Sequence, residues 1–247
     1  MNEDIKKLEE AIRDSKKIVF FGGAGVSTES GIPDFRSSNG LYSKKYKKNI
    51  SPEEIVSRTF FFSHTEEFYN FYKDKLLYLD AKPNIAHIRL AEYEKAGKDI
   101  TIITQNIDGL HQEAGSTNVI ELHGTIHKNH CRQCHKIYDV NTIVNSNTVP
   151  RCECGGLIKP NIVLYEEGLN QRDLYKARDA ISECDLLIVA GTSLVVYPAA
   201  GLINFFKGKT MAIINLSTTN NDKDADIVIH DKIGFVLKQI TPENIKE

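Results

Sequence analysis

No run of ~18 apolar residues occurs in the sequence, which excludes a membrane-spanning helix. An excess of positive charge is also lacking. The 31 basic and 33 acidic residues leave a formal net charge of −2, so a strongly basic nucleic-acid binder is excluded as the default class. The N-terminal stretch MNEDIKKLEE holds no apolar segment, so no secretory signal is expected. There is no internal repeat and no low-complexity linker. What is present is 247 residues, between one and two domains at ~150 residues each. A chain of this length buries ~70–75% of its unfolded surface, enough for a core without covalent help. Of five cysteines, four crowd into 131–154. In the leaderless, cytoplasmic chain that the N-terminal stretch leads us to expect, that crowding reads as a metal site rather than a disulfide framework.

Residues 4–14 place Ile5, Leu8, Ala11 and Ile12 on one helical face. Short apolar runs follow at 17–21, 100–104, 118–122, 161–164, 185–190, 210–215 and 225–229. Their continuous apolar character suggests strands buried on both faces, as in a parallel sheet. Helical stretches at 85–96, 170–182, 198–206 and 233–240 separate several of them. The expected fold class is α/β, a Rossmann-like parallel sheet with helices on both faces. Two stretches break the alternation: an aromatic, helical one at 36–84 and a cysteine-bearing one at 127–158. They are expected to form a small domain inserted into a discontinuous larger one made of 1–35, 85–126 and 159–247.

Several motifs carry chemistry. Gly23 and Gly25 follow a strand and open a helix, which lets backbone approach a pyrophosphate at a helix N-terminus. The third glycine of the dinucleotide fingerprint and its ribose carboxylate are lacking, so a plain strand-to-helix turn stays open. Phe35 and Arg36 pair a stacking ring with a phosphate-binding cation, or belong to an ordinary loop. Gln105, Asn106 and Asp108 crowd the carboxyl end of the strand at 100–104, and helix capping explains one of them, not three. His123 stands at another strand end as a candidate general base. A lone histidine is more often structural; His64, His87 and His230 carry no suggestive context. Gly191, Thr192 and Ser193, then Asn215, put small polar groups at two further strand ends, where ordinary turn chemistry is the alternative. Cys131-x2-Cys134-x17-Cys152-x-Cys154 suits tetrahedral Zn²⁺. Its second half is one residue short, which leaves His127, His130 or His135 as a substitute ligand and buried free thiols as the alternative. Cys184 reads as a small buried hydrophobe. All the polar motifs fall at carboxyl ends of expected parallel strands, which makes one crevice.

Together these strings resemble the sirtuin family of NAD-dependent protein-lysine deacylases, in its compact bacterial or archaeal form. The matching strings are Gly-Ala-Gly-Val-Ser (23–27), Gly-Ile-Pro-Asp-Phe-Arg (31–36), Thr-Gln-Asn-Ile-Asp-Gly-Leu-His (104–111), Glu-Leu-His-Gly (121–124), the cysteine cluster, Pro-Asn-Ile-Val-Leu-Tyr (160–165) and Gly-Thr-Ser-Leu-Val-Val-Tyr-Pro-Ala (191–199). They stand in family order across nearly the whole chain. The resemblance implies that Gly23, Ala24, Gly25, Thr28, Phe35 and Arg36 line the NAD phosphates and nicotinamide ribose. It implies that Gln105, Asn106, Ile107 and Asp108 hold the nicotinamide, with His123, Asn106 and Asp108 catalytic. Gly191, Thr192, Ser193 and Asn215 take the adenosine half, with Asp231 near the adenine. Val163 and Tyr165 bind acyl-lysine between the two domains, and the four cysteines hold one structural zinc.

The implied reaction consumes NAD and an acetyl-lysine protein or peptide, and releases nicotinamide and O-acetyl-ADP-ribose. In the family's mechanism the acyl oxygen attacks the nicotinamide ribose, and the histidine then helps a ribose hydroxyl attack the imidate. Two further departures from the family pattern stand out. Glu166 takes the place of a Gly beside the substrate groove, and Tyr69-Asn-Phe-Tyr72 lacks the Arg of members that remove acidic acyl groups. A preference for neutral acyl chains is expected from the second. The basic run at 44–48 reads as a solvated loop. A cytoplasmic monomer with no membrane or nucleic-acid partner is expected. An ADP-ribosyltransferase on the same scaffold is the second reading. A non-catalytic reader is disfavoured by the intact His123, Asn106 and Asp108, and a dehydrogenase by the missing third glycine.

Overall fold

The computed structural model describes residues 2–37, 40–41 and 50–246. The basic run at 44–48 lies outside them. The strands, in chain order, are β1 (Lys17–Gly22), β2 (Asp99–Thr104), β3 (Val119–Glu121), β4 (Gly124–Cys131), β5 (Ile137–Tyr138), β6 (Ile158–Ile162), β7 (Leu186–Ala190), β8 (Thr210–Ile214) and β9 (Ile227–Ile229). The helices are α1 (Glu3–Asp14), α2 (Pro52–Ile55), α3 (Arg58–Ser63), α4 (Thr65–Lys75), α5 (Ile85–Lys95), α6 (Leu110–Ala114), α7 (Val140–Val144), α8 (Gln171–Glu183) and α9 (Ile233–Lys238).

Six strands form one sheet in the order β3-β2-β1-β7-β8-β9, with every neighbouring pair parallel. Counted within the sheet, this is the doubly wound order 3-2-1-4-5-6. The order in which strands are added reverses between β1 and β7, so the crevice belongs at the carboxyl ends of those two strands. The continuous apolar runs have the expected cause, because both faces are covered. Ile18 and Phe20 of β1 pack with α1, α5 and α9. Val19 and Phe21, alternating with them, pack on the other face with Ala177 and Ile181 of α8. A side-chain period of two residues sends neighbours in one strand to opposite cores.

A second sheet, β5-β4-β6, is antiparallel. It corrects the reading of 161–164 as a parallel strand: Asn161 and Ile162 are the end of β6, which pairs antiparallel with β4, and Val163 and Leu164 follow it in a loop. Pro160 is tolerated because β6 is an edge strand of this sheet. The aromatic stretch folds into α2, α3 and α4, and its Phe61, Phe68, Tyr69 and Tyr72 share one core with Ile126, Ile143, Ile158 and Ile162. The two interruptions of the α/β alternation therefore pack on each other, each supplying what the other buries. Two helix expectations are also corrected. Ala24–Ser30 and Ala199–Phe205 are 3-10 segments. Gly31 closes the first with φ +84°, where glycine has no Cβ penalty.

Candidate functional site

A cleft of about 890 Å³ opens at the reversal between β1 and β7. Every residue named above for catalysis, cofactor or acyl-lysine binding lines it, and none of the four zinc candidates does. The glycine loop after β1 lies against the loop after β7. Gly23 N–H donates to Ala190 O at 3.0 Å and Gly25 N–H to Gly191 O at 2.8 Å. A Cβ on Gly25 would stand 2.7 Å from the Gly191 Cα, and one on Gly23 2.7 Å from the Gly191 carbonyl oxygen. The smallness of both glycines thus serves this loop-on-loop contact at the floor of the cleft. Thr192 is held from two directions. Its backbone N–H and C=O pair with the Asn215 side chain at 3.0 and 3.1 Å. Its hydroxyl accepts from Gln105 Nε2 at 3.1 Å. The ends of β2, β7 and β8 are thereby joined by two side-chain amides, Asn215 as both donor and acceptor and Gln105 as donor.

Ser27 bridges Asn106 and Asp108. Asn106 Nδ2 donates to Ser27 Oγ at 3.0 Å, and Ser27 Oγ donates to Asp108 Oδ2 at 2.6 Å. The other carboxylate oxygen of Asp108 accepts from Leu110 N–H at 2.9 Å, so the capping role and the cleft role coexist in one residue. Ser27 is 1% exposed and was missed by sequence reasoning. Its signal was present as a serine inside the glycine string, two residues past Gly25. Glu29 was missed as well; it lines the cleft and accepts from Gly234 N–H at 2.7 Å, tying the 3-10 segment to α9.

His123 Nδ1 lies 2.8 Å from the Gln105 carbonyl oxygen. A carbonyl only accepts, so Nδ1 carries the proton and Nε2 keeps the lone pair. Burial pushes the His123 pKa below its ordinary value, and the Gln105 carbonyl partly restores it. The ring is therefore neutral at pH 7, as a proton acceptor requires. The His123 carbonyl in turn accepts from Val163 N–H at 2.9 Å, which couples the candidate base to the acyl-lysine loop. On the same wall Arg36 Nη2 donates to the Tyr165 hydroxyl at 3.1 Å, so a cofactor candidate meets a substrate candidate.

Tyr69 and Tyr72 lie 1% and 0% exposed in the aromatic core and do not line the cleft. The neutral-acyl expectation therefore draws no support from the positions of these two side chains. The helical stretch instead contributes Lys75, Leu76 and Tyr78 to the cleft.

Away from the cleft, the sulfur atoms of Cys131, Cys134, Cys152 and Cys154 all lie within 4.8 Å of one another. The shortened second half of the motif thus closes without a histidine ligand. Cys131 Sγ accepts the backbone N–H groups of Gln133 and Cys134 at 3.3 and 3.4 Å. The Tyr138 hydroxyl donates to Cys152 Sγ at 3.0 Å and holds that thiol's pKa well down. Donors aimed at sulfur favour thiolates, and four thiolates this close suit a structural Zn²⁺. Cys184 caps the end of α8, 3% exposed, as the small buried group expected.

Residues 23–198 match the Sir2 family. An NAD-dependent protein deacetylase of Clostridium perfringens is 57% identical over 242 residues, covering 97% of this chain and 99% of that protein. A solved Sir2 with p53 peptide and NAD⁺ superposes with a TM-score of 0.85 at 40% identity, covering 98% of each chain. A Sir2 variant with deacetylated p53 peptide and 3′-O-acetyl-ADP-ribose gives a TM-score of 0.89 at 40% identity, covering 98% of this chain and 99% of that one.

Proposed function

This chain belongs to the Sir2 family, and from that premise we propose how its cleft works as an NAD-dependent protein-lysine deacetylase. The observation that carries the reading is the meeting, in one cleft, of the Gly23–Gly25 loop, the Asn106–Ser27–Asp108 chain, His123 and the loop bearing Val163 and Tyr165. When bound, NAD⁺ supplies the ribosyl carbon that takes the acyl oxygen as nicotinamide leaves, and its ADP-ribose carries the acetyl group away. The glycine loop, Thr28, Phe35 and Arg36 bind its phosphates and ribose. Thr192, Ser193, Asn215 and Asp231 orient the adenosine half. Gln105, Asn106, Ile107 and Asp108 seat the carboxamide, with Ser27 holding the Asn106 amide and the Asp108 carboxylate in fixed relative positions. His123 takes a proton at Nε2, because Nδ1 is committed to the Gln105 carbonyl. Val163 and Tyr165 form the wall that receives acyl-lysine.

In this reading acyl-lysine enters between a cofactor-binding unit and a small unit built from residues 36–84 and 127–158. Support for that division comes from the separate core that the two stretches share. No helix among the described residues is long and apolar enough to cross a membrane. We place the protein in the cytoplasm as a monomer acting on acetyl-lysine proteins, with no nucleic-acid partner; none of its five cysteines forms a disulfide, and the net charge is −2. The test incubates the protein with NAD⁺ and an acetyl-lysine peptide and measures nicotinamide and deacetylated peptide together. Equal release of both is expected. Nicotinamide without deacetylation would assign ADP-ribosyl transfer or NAD⁺ glycohydrolysis instead.

A further inference from the structure

Glu166 stands at the tip of the acyl-lysine loop with φ +71°. A residue bearing a side chain adopts this left-handed conformation only at an energetic cost, and it persists where surroundings hold it. Here the holder is visible. One Glu166 carboxylate oxygen accepts both the backbone N–H of Thr59 at 2.8 Å and the Thr59 hydroxyl at 2.6 Å. These bonds, with the Arg58 charge nearby, keep the carboxyl ionised. The preceding residue is bound to the same segment through its backbone. Tyr165 N–H donates to Val56 O at 3.0 Å, and Arg58 N–H donates to Tyr165 O at 2.9 Å. On its other side the loop is anchored elsewhere. Val163 N–H donates to the His123 carbonyl, and the buried Lys159 ammonium donates to the Glu167 carboxylate at 3.0 Å. The loop is therefore stretched between the site's base and the helical stretch, and Glu166 is the side chain that fastens its tip.

We propose that Glu166 is a positioning residue that latches the acyl-lysine loop to residues 56–59 and thereby sets peptide affinity, leaving NAD affinity and the chemical step alone. This rests on the reading of Val163 and Tyr165 as the acyl-lysine wall. The physical reason is population. If the receptive loop conformation is held only part of the time, apparent affinity falls by that fraction, while the saturated complex reacts as before.

Three variants test it: Glu166→Gly removes the carboxylate and eases the backbone, Glu166→Gln keeps an acceptor oxygen, and Thr59→Val removes one donor. In Glu166→Gly the peptide KM is expected to rise by about fivefold to tenfold, with kcat and the KM for NAD⁺ within about twofold. Thr59→Val is expected in between, and Glu166→Gln near the parent. A merely structural role predicts the opposite order for Glu166→Gly, since glycine relieves the positive φ. An unchanged peptide KM in Glu166→Gly, or an equal rise in both KM values, overturns the proposal. Amide hydrogen exchange supplies a readout that needs no turnover. The Tyr165 and Arg58 amides are expected to exchange faster in Glu166→Gly, and unchanged exchange overturns the latch. Absence of deacetylation by the parent protein would instead overturn the functional reading, with exchange alone then deciding the latch.

Discussion

Ser27 illustrates how far a single residue can be read. Its hydroxyl oxygen joins Asn106 to Asp108, yet a serine in a glycine string looks like turn chemistry until residues 79 and 81 positions further along the chain fold against it. Ser27→Ala is expected to leave the fold intact and to lower nicotinamide exchange by about 1–3 kcal/mol of transition-state stabilisation, because a buried amide and carboxylate each lose a partner. A nicotinamide-exchange rate equal to the parent's would refute the bridge. The place of His123 in the cleft, by contrast, was legible, because it follows a strand end beside glycine. Its protonation state was not legible, since that depends on burial and on the Gln105 carbonyl 18 residues away. A lowered folded-state pKa means the neutral base survives to more acidic pH. The acid limb of kcat/KM against pH is therefore expected to have its midpoint below 6.5, the ordinary histidine value, with a flat profile around pH 7. A midpoint above 6.5 would contradict the assignment, and His123→Ala should cost about 10²–10⁴ in kcat.

At the scale of elements, the parallel strands were legible because burial on both faces leaves a continuous apolar run. β4 and β5 were not, because their sheet is small and partly exposed; β4 (Gly124–Cys131) mixes buried Thr125, Ile126 and Asn129 with exposed His127 and Lys128. β6 misled for a related reason: its apolar end looks like the parallel strands, and only pairing decides which sheet takes it. The loops after β1 and β7 show how two elements specify one site. Gly25→Ala pushes a methyl group into the Gly191 backbone, which has no side chain to move aside. The expected result is a loss of about 1–3 kcal/mol in stability together with a raised KM for NAD⁺, read by thermal unfolding and by kinetics at saturating peptide. Normal values of both would mean that the two loops separate easily. A further tie lies behind them. Asn84 caps α5 through its Oδ1, and its amide also donates to Val26 O and Ser30 Oγ at 2.8 and 2.9 Å, so the cap fixes the cofactor loop too.

Across the whole molecule, two groups of residues outside the cleft link chemistry to stability. His87 and His111 are fully buried with ring centroids 4.7 Å apart, against the carboxylate-bearing loop of Asp108. Burial pushes His87 down to about 4, and it pushes His111 down as well, with the neighbouring His87 adding to that effect. The unfolded chain therefore binds more protons than the folded one below the ordinary pKa of 6.5. Stability is expected to be fully present above that pH and to fall by about 1–3 kcal/mol as pH drops toward 5. Chemical denaturation at pH 7 and pH 5 checks this, and a His87→Gln variant should show a shallower fall; equal slopes would assign the acid loss elsewhere. The cysteine cluster acts on the second core, since Cys131 and Cys152 pack with the aromatic residues of the helical stretch. Removing zinc with a chelator is expected to melt that core ahead of the parallel sheet and to abolish deacetylation, with zinc content, calorimetry and near-UV circular dichroism as readouts. A single unchanged transition after full zinc loss would show that the metal does not hold the small unit.

By itself the sequence determined the α/β class, the strand-end positions of the polar motifs and the crowding of four cysteines, because each rests on local periodicity or close spacing along the chain. Only the tertiary structure decided that Ser27 joins Asn106 to Asp108, that β6 belongs to the second sheet and that Glu166 reaches Thr59. Each of these depends on contact between segments far apart in the chain, where no local pattern carries the information.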